Sequence, residues 1–280
     1  MKADSLLLDT VERLFSEQLT PEYLAEAERS GGAEFLSLAQ EIGLDAVLVA
    51  QEEGGYGGSW SDAFVVAEAC GRYAAPGSLP EIMVSRSIPG SDGTEHVSVE
   101  HVSVEHVSVG RLAAAQPSLP LAAGALLRSA QMAGAAQALL ERSVRYCGER
   151  EQFGRRLERF QAVQQQLAEL AGYVACMQAA SQRAFAEVQR HGMPAGEEDA
   201  AWLAVAIAKC RCSELAHPVT LIAHGVHGAI GFTEEFGLQR FSRPLWRWRA
   251  DYGRCSDWAQ AIGRLAIARG PEATWDALAR

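Results

Sequence analysis

Two segments of this 280-residue chain combine residue types and spacings that could bind a phosphorylated ligand. The first is Tyr146-Cys147-Gly148-Glu149-Arg150-Glu151-Gln152-Phe153-Gly154, running on through Leu157, Phe160-Gln161-Ala162-Val163-Gln164 and Leu167-Ala168. Tyr146, Arg150 and Phe153 are spaced i, i+4, i+7, which a continuous helix would place on one face. On such a face Arg150 can pair with a pyrophosphate, Gln152 can bond a base or phosphate oxygen, and Phe153 can pack against adenine. Gly154 lets the backbone turn or approach closely. The plainer alternative is a surface Arg beside a core Phe, followed by a helix break. The second segment is His224-Gly225-Val226-His227-Gly228-Ala229-Ile230-Gly231-Phe232-Thr233. Its glycines would offer backbone amides to a phosphate without steric bulk, or would simply make an interhelical turn.

Other constellations carry less chemistry. His217, His224 and His227 lack the acidic or cysteine companions of a zinc site. The six cysteines (70, 147, 176, 210, 212 and 255) show no paired framework and read as reduced thiols. Cys210-x-Cys212 falls in a helical run, where the two side chains diverge. Trp246 and Trp248 with Arg247 and Arg249 read as a core or interface patch, not a nucleic-acid stack. Ser256-x-Trp258 has no hydrolase context.

Bulk properties narrow the classes. The net charge is −10, from 25 basic and 35 acidic residues, which argues against general nucleic-acid binding. Lys2 and Lys209 are the only lysines. Nearly all positive charge therefore sits on guanidinium forks, clustered at 142–159 and 240–254, and such forks suit phosphate or carboxylate. No run of eighteen apolar residues appears, so no membrane span is expected. Met1-Lys2-Ala3-Asp4-Ser5 lacks a signal-peptide pattern, making the cytoplasm the expected compartment.

The elements that must position these residues read as helices. Ser5 to Gln18 places Leu6, Leu7, Val11, Leu14 and Phe15 near one face. Thr20-Pro21 is a helix start. Phe35 to Ile42 makes a short apolar stripe ended by Gly43. Gln51 to Gly58 is a glycine-rich loop launching a helix from Ser61, and Glu81 to Ser87 is a further short helix. Residues 88–120 differ: Glu-His-Val-Ser-Val occurs three times in tandem, at 95–109. This period suits a tolerant exposed connection better than a solenoid or a metal tract of His96, His101 and His106. Long helices follow from about Leu119, from Gln161 to Arg190 and from Ala200 to Ala223. Gly192-Met193-Pro194 breaks the second, and a fourth opens at 231–234 with Thr233 as its cap. Four such helices with short breaks predict an antiparallel bundle. Their recurring small residues favour close contacts and oligomerisation.

These motifs together resemble the acyl-CoA dehydrogenase family along most of the chain. Gln51 to Gly58 is similar to the family's Pro-Glu-Glu-x-Gly-Gly-x-Gly loop, and Glu68-Ala69-Cys70-Gly71-Arg72 to the Glu-Glu-Leu-Gly-Arg that follows it. Residues 146–168 resemble the Arg-x-Gln-Phe-Gly region, and 224–233 the Gln-x-x-Gly-Gly-x-Gly-Phe/Tyr loop, with Gly225 in place of the Gln. The resemblance implies a mainly α fold: a helical N-terminal domain (1–88), a shortened linker (89–118) and a C-terminal helical bundle (119–280). It also implies FAD, with Arg150, Gln152, Phe153, His224, Gly225 and Gly228 contacting its adenine and pyrophosphate across a subunit interface.

The same resemblance exposes two absences. Family members carry a middle β-sheet domain that holds the flavin ring and part of the acyl thioester, and residues 88–120 are too few for one. The chemistry also needs a carboxylate beside the substrate α-carbon. Where the family has Glu-Gly-Thr, this chain has Asp251-Tyr252-Gly253, putting Tyr252 at the base position with Asp251 adjacent. A second family location for the base counts back to about Gly124. A tyrosine of ordinary acidity is a poor base near neutral pH.

The expectation is therefore a subunit of a heteromeric acyl-CoA dehydrogenase, of the kind associated with bulky substrates such as steroid side chains. A full-length partner would supply the flavin-ring site, the acyl pocket and the Glu. An electron-transfer flavoprotein would be the acceptor. The alternatives are a structural or regulatory protein that kept the helical shell, and an enzyme using Asp251 or Tyr252.

Overall fold

In the computed structural model, residues 3–87 and 119–279 are described. The Glu-His-Val-Ser-Val repeat and its histidines lie outside the described residues, as does the whole of the 89–118 connection.

Local signals set the N-terminal helices. Helix α1 (Ser5–Gln18) starts where the Asp4 carboxylate accepts from the Leu6 amide, and it buries Leu7, Val11 and Phe15 at helical spacing. Helix α2 (Pro21–Ser30) is capped by Thr20 with Pro21 in its first turn, and α3 spans Ala33–Glu41. Helix α4 (Trp60–Arg72) begins at a capping box between Ser59 and Asp62, and α5 covers Leu79–Arg86.

Three long helices follow: α6 (Leu121–Glu149), α7 (Gln161–His191) and α8 (Trp202–His227). They pack on one another, and α10 (Cys255–Arg269) packs on α8 to complete four. The expected fourth helix at 231–234 does not form there. Residues Gly228–Phe232 make a tight 3₁₀ turn, and the Thr233 hydroxyl donates back to the Ile230 carbonyl at 2.8 Å instead of capping a helix. The chain turns again at Gly237 (φ +70°) before the short α9 (Gln239–Trp248). Helix α11 (Pro271–Ala279) ends the described chain. The fold is mainly α. Its one sheet among the described residues is the hairpin of β1 (Glu151–Gln152) and β2 (Arg155–Arg156).

Close backbone approach joins the N-terminal helices to the bundle. A Cβ on Gly71 of α4 would lie 1.9 Å from the Gln131 carbonyl oxygen of α6, and one on Gly134 would lie 2.0 Å from that of Glu68. Only hydrogen fits at either site. The crossing lets α1, α3 and α4 share one apolar core with the first half of α6, around Phe15, Phe35, Leu126 and Leu127. A second core around Met132, Leu139, Leu170 and Phe241 fills the other end of the bundle.

Candidate functional site

Helix α6 ends one residue before Arg150, whose N–H donates to the Tyr146 carbonyl at 2.8 Å. The Arg150 carbonyl accepts from the Leu157 amide at 2.9 Å, closing the base of the hairpin. Glu151 pairs with Arg156 and Gln152 with Arg155, around Phe153 (φ +53°) and Gly154 (φ +77°). Two successive positive φ values match the right-handed twist of a two-residue hairpin turn. Tyr146, Arg150 and Phe153 therefore do not share a helical face, contrary to the reading of their spacing. The glycine made the turn, and the helix stopped before the motif was complete. Phe153 projects outward, 90% exposed. Arg150, Gln152, Arg155 and Arg156 are also exposed. None of those three arginines has an ion-pair partner among the described residues. The Arg155 guanidinium covers Phe160 at 4.0 Å, and Phe153 meets Phe160 edge-on.

Tyr146 turns inward instead. Its ring stacks on His227 at 4.6 Å and meets the edge of Phe236. This contact joins the C-terminal ends of α6 and α8, bringing residues 224–232 to the same end of the bundle as the hairpin. Phe232 is 74% exposed there and lies against the His224 ring. His224 shares a 3.0 Å hydrogen bond with the Ser242 hydroxyl, and burial holds both His224 and His227 below the usual imidazole range. The glycines do not form an open amide cradle as expected. Gly225 lies within α8, and the Gly228 amide donates to the His224 carbonyl to cap that helix. What this end of the molecule offers a ligand is exposed aromatic rings and uncommitted guanidinium groups.

The residues expected near a catalytic base lie elsewhere, between α6, α5 and the α9–α10 turn. Tyr252 (φ +53°) lays its ring on Gly124: a Cβ there would come within 2.1 Å of two ring carbons. Burial, then the Glu81 carboxylate, pushes the Tyr252 phenol well above its usual range. Asp251 accepts from Arg128 Nε at 3.1 Å, while the other arm of that guanidinium meets Glu81 at 2.6 Å and also bonds Gln131. Arg128 lies 5.5 Å from the ring centre of Trp248 and 5.7 Å from that of Tyr252. Lys209, with no exposed surface, donates to Ser213 Oγ and to the carbonyls of Trp248 and Arg249 at the end of α9. Burial lowers its pKa to about 8. Sequence reasoning missed Glu81, Arg128 and Lys209. For the two cations the available signal was a lone charge inside an otherwise uncharged helix stretch, Leu126 to Ala130 and Leu203 to Cys210.

Residues 2–95 match the N-terminal domain of acyl-CoA dehydrogenases, and residues 115–246 match their C-terminal domain. The chain belongs to the acyl-CoA dehydrogenase family. It is 36% identical over 114 residues to the probable acyl-CoA dehydrogenase FadE25 of Mycobacterium tuberculosis, covering 41% of this chain and 28% of that protein. It is 32% identical over 146 residues to the probable acyl-CoA dehydrogenase YngJ of Bacillus subtilis, covering 52% and 35%. The matches thus span about a third of those relatives' lengths. Among solved structures, a Tcur3481-Tcur3483 steroid ACAD variant superposes with a TM-score of 0.74 at 19% identity, covering 94% of this chain and 97% of that one. The ChsE4-ChsE5 complex of Mycobacterium tuberculosis gives 0.68 at 18% identity, with 95% and 97% covered. These two likenesses show the fold.

This member of the acyl-CoA dehydrogenase family has no carboxylate at either position where the family resemblance places the base. The two sequence positions at which the family resemblance places that carboxylate, Gly124 and Tyr252, touch each other. Each fills the space in front of the other, and the acid adjacent in sequence, Asp251, is bonded to Arg128. A concavity of about 420 Å³ between α10 and α11 is lined by Ala266, Ile267, Gly270, Pro271, Thr274, Trp275 and Leu278, and offers no titratable group.

Proposed function

We propose that this chain is a non-catalytic subunit of a heteromeric, FAD-dependent acyl-CoA dehydrogenase. Its hairpin completes the adenine and pyrophosphate half of a flavin site whose ring is held by a full-length partner. The carrying observation is the contrast between the chain's two candidate regions. The base position is closed by Tyr252 on Gly124, whereas Phe153 stands exposed and Arg150 is exposed with no ion-pair partner among the described residues.

The exposed residues fit the adenosine diphosphate end of FAD. Arg150 would pair with the pyrophosphate, Gln152 would bond a polar atom of the base or phosphate, and Phe153 would stack on adenine. His224, Gly225 and Gly228 would line the neighbouring surface. Bound flavin would accept the hydride from the substrate β-carbon, and the partner's Glu would take the α-proton. The acyl-CoA would rest mainly on the partner, with an electron-transfer flavoprotein as acceptor, in the cytoplasm. The two neighbours of nearly equal chain length are described as a steroid ACAD and as a two-component complex, which supports a heterotetramer in lipid or steroid catabolism.

Co-expression with the candidate partner tests this reading. A yellow complex that oxidises acyl-CoA is expected, with the isolated chain colourless and inactive. A yellow, active homo-oligomer of this chain would overturn it. A complex whose flavin content ignores Arg150 and Phe153 would leave a structural subunit of the same fold.

A further inference from the structure

Cys210 of α8 and Cys255, the first residue of α10, bring their sulfurs to 3.1 Å. Each sulfur also faces the other residue's backbone carbonyl, at 3.7 and 3.5 Å. A disulfide needs the sulfurs about 1 Å closer, a shift within reach of side-chain rotation. Both residues are half-buried, whereas Cys70, Cys147 and Cys212 are buried. Cys212, two residues along α8, points away toward Ser181.

The pair sits at a mechanically particular place. The turn 249–254 carries Asp251 to Arg128 and Tyr252 to Gly124. Lys209 holds one end of that turn through the Trp248 and Arg249 carbonyls, and Cys210 meets the other end at Cys255. Consecutive residues of α8 thus grip both ends, one by hydrogen bonds and one through thiols.

We propose that Cys210 and Cys255 form a redox-modification site, which a hydroperoxide closes to an intramolecular disulfide that locks the 249–254 turn onto α8. One thiol attacks the peroxide oxygen, cleaves the O–O bond and becomes a sulfenic acid, releasing water or an alcohol. The second sulfur then displaces water from the sulfenic acid and the S–S bond forms. Two thiols lose two electrons in total and the hydroperoxide gains them. Burial and the adjacent Cys255 thiol push the Cys210 thiol up.

Treating the purified full chain with hydrogen peroxide, blocking residual thiols and mapping peptides without reductant tests the proposal. The expected product is one cross-linked peptide joining Cys210 to Cys255, an intact mass lower by two hydrogens, and reversal by dithiothreitol. Hydrogen exchange at 250–254 should slow about tenfold in the oxidised protein. Recovering Cys210 and Cys255 as separately blocked thiols, as separate sulfinic acids, or linked to Cys176 or to another chain overturns the proposal. So does a Cys255→Ser protein that still loses two hydrogens; should that variant not fold, the mapping of the natural chain decides.

Discussion

The ring of Tyr252 rests on the α-carbon of Gly124, so closely that a methyl group there would lie 2.1 Å from two ring carbons. Nothing larger than hydrogen is tolerated unless the α9–α10 turn moves. Gly124→Ala should therefore cost about 1–3 kcal/mol in denaturant unfolding, despite the gain in helix propensity. Adding Tyr252→Ala should return part of that loss, because it empties the space the new methyl needs. A Gly124→Ala protein as stable as its parent would show that the contact does not exist.

The hairpin should behave oppositely. Arg150→Ala and Phe153→Ala remove exposed groups outside the core, Phe153 touching the edge of Phe160, so the chain's own stability should stay within about 0.5 kcal/mol. The flavin-to-protein ratio of the co-purified complex should fall. Absorbance spectra of matched preparations measure both proteins on one scale.

Arg128 bridges the buried Glu81 carboxylate and the partly buried Asp251 carboxylate. Replacing it with Met would leave Glu81 buried without its cation, at a cost of about 3–5 kcal/mol. Asp251→Asn in the same background should recover part of the stability. In the assembled complex, Asp251→Asn alone should leave turnover unchanged, since the side chain faces Arg128 and not a reacting atom.

Lys209 makes stability depend on alkaline pH. The folded chain releases its proton near pH 8, whereas the unfolded chain holds it to the usual 10.5. At this group unfolding therefore takes up a proton between these values, and the Lys209 contribution to stability rises with pH across that window, by on the order of 3 kcal/mol in full. Above pH 10 the phenols of Tyr56, bonded to Asp4, and of buried Tyr73 act in the other direction. Between pH 9 and 10 the thiols of Cys70, Cys147, Cys210 and Cys212, all pushed up by burial, also oppose the rise, so the Lys209 contribution is cleanest from pH 8 to 9. It should vanish in Lys209→Met, as measured by urea unfolding across that range.

Helix starts were legible because their causes are local. Thr20-Pro21 ahead of α2 and Gly192 behind α7 act within one turn of the residue they cap. The Thr233 start failed for a related reason. A hydroxyl of the right type was present, but it bonded back to Ile230 while the chain turned on through Gly237 to a helix at Gln239. The motif at 146–154 was legible as a motif but not as a shape. Spacing counted along a helix loses its meaning once the helix stops at Glu149.

By itself the sequence determined the helical architecture, the family motifs and the lack of an acid at either expected base position. All of these follow from residue identity and from interactions spanning a few positions. Tertiary structure alone decided that Phe153 faces outward, that Tyr146 joins α6 to α8, and that Asp251 turns to Arg128, 123 positions away. Such meetings depend on where helices cross. Those crossings are set by the whole packed core, including hydrogen-only contacts at Gly71 and Gly134, and no short-range pattern encodes them.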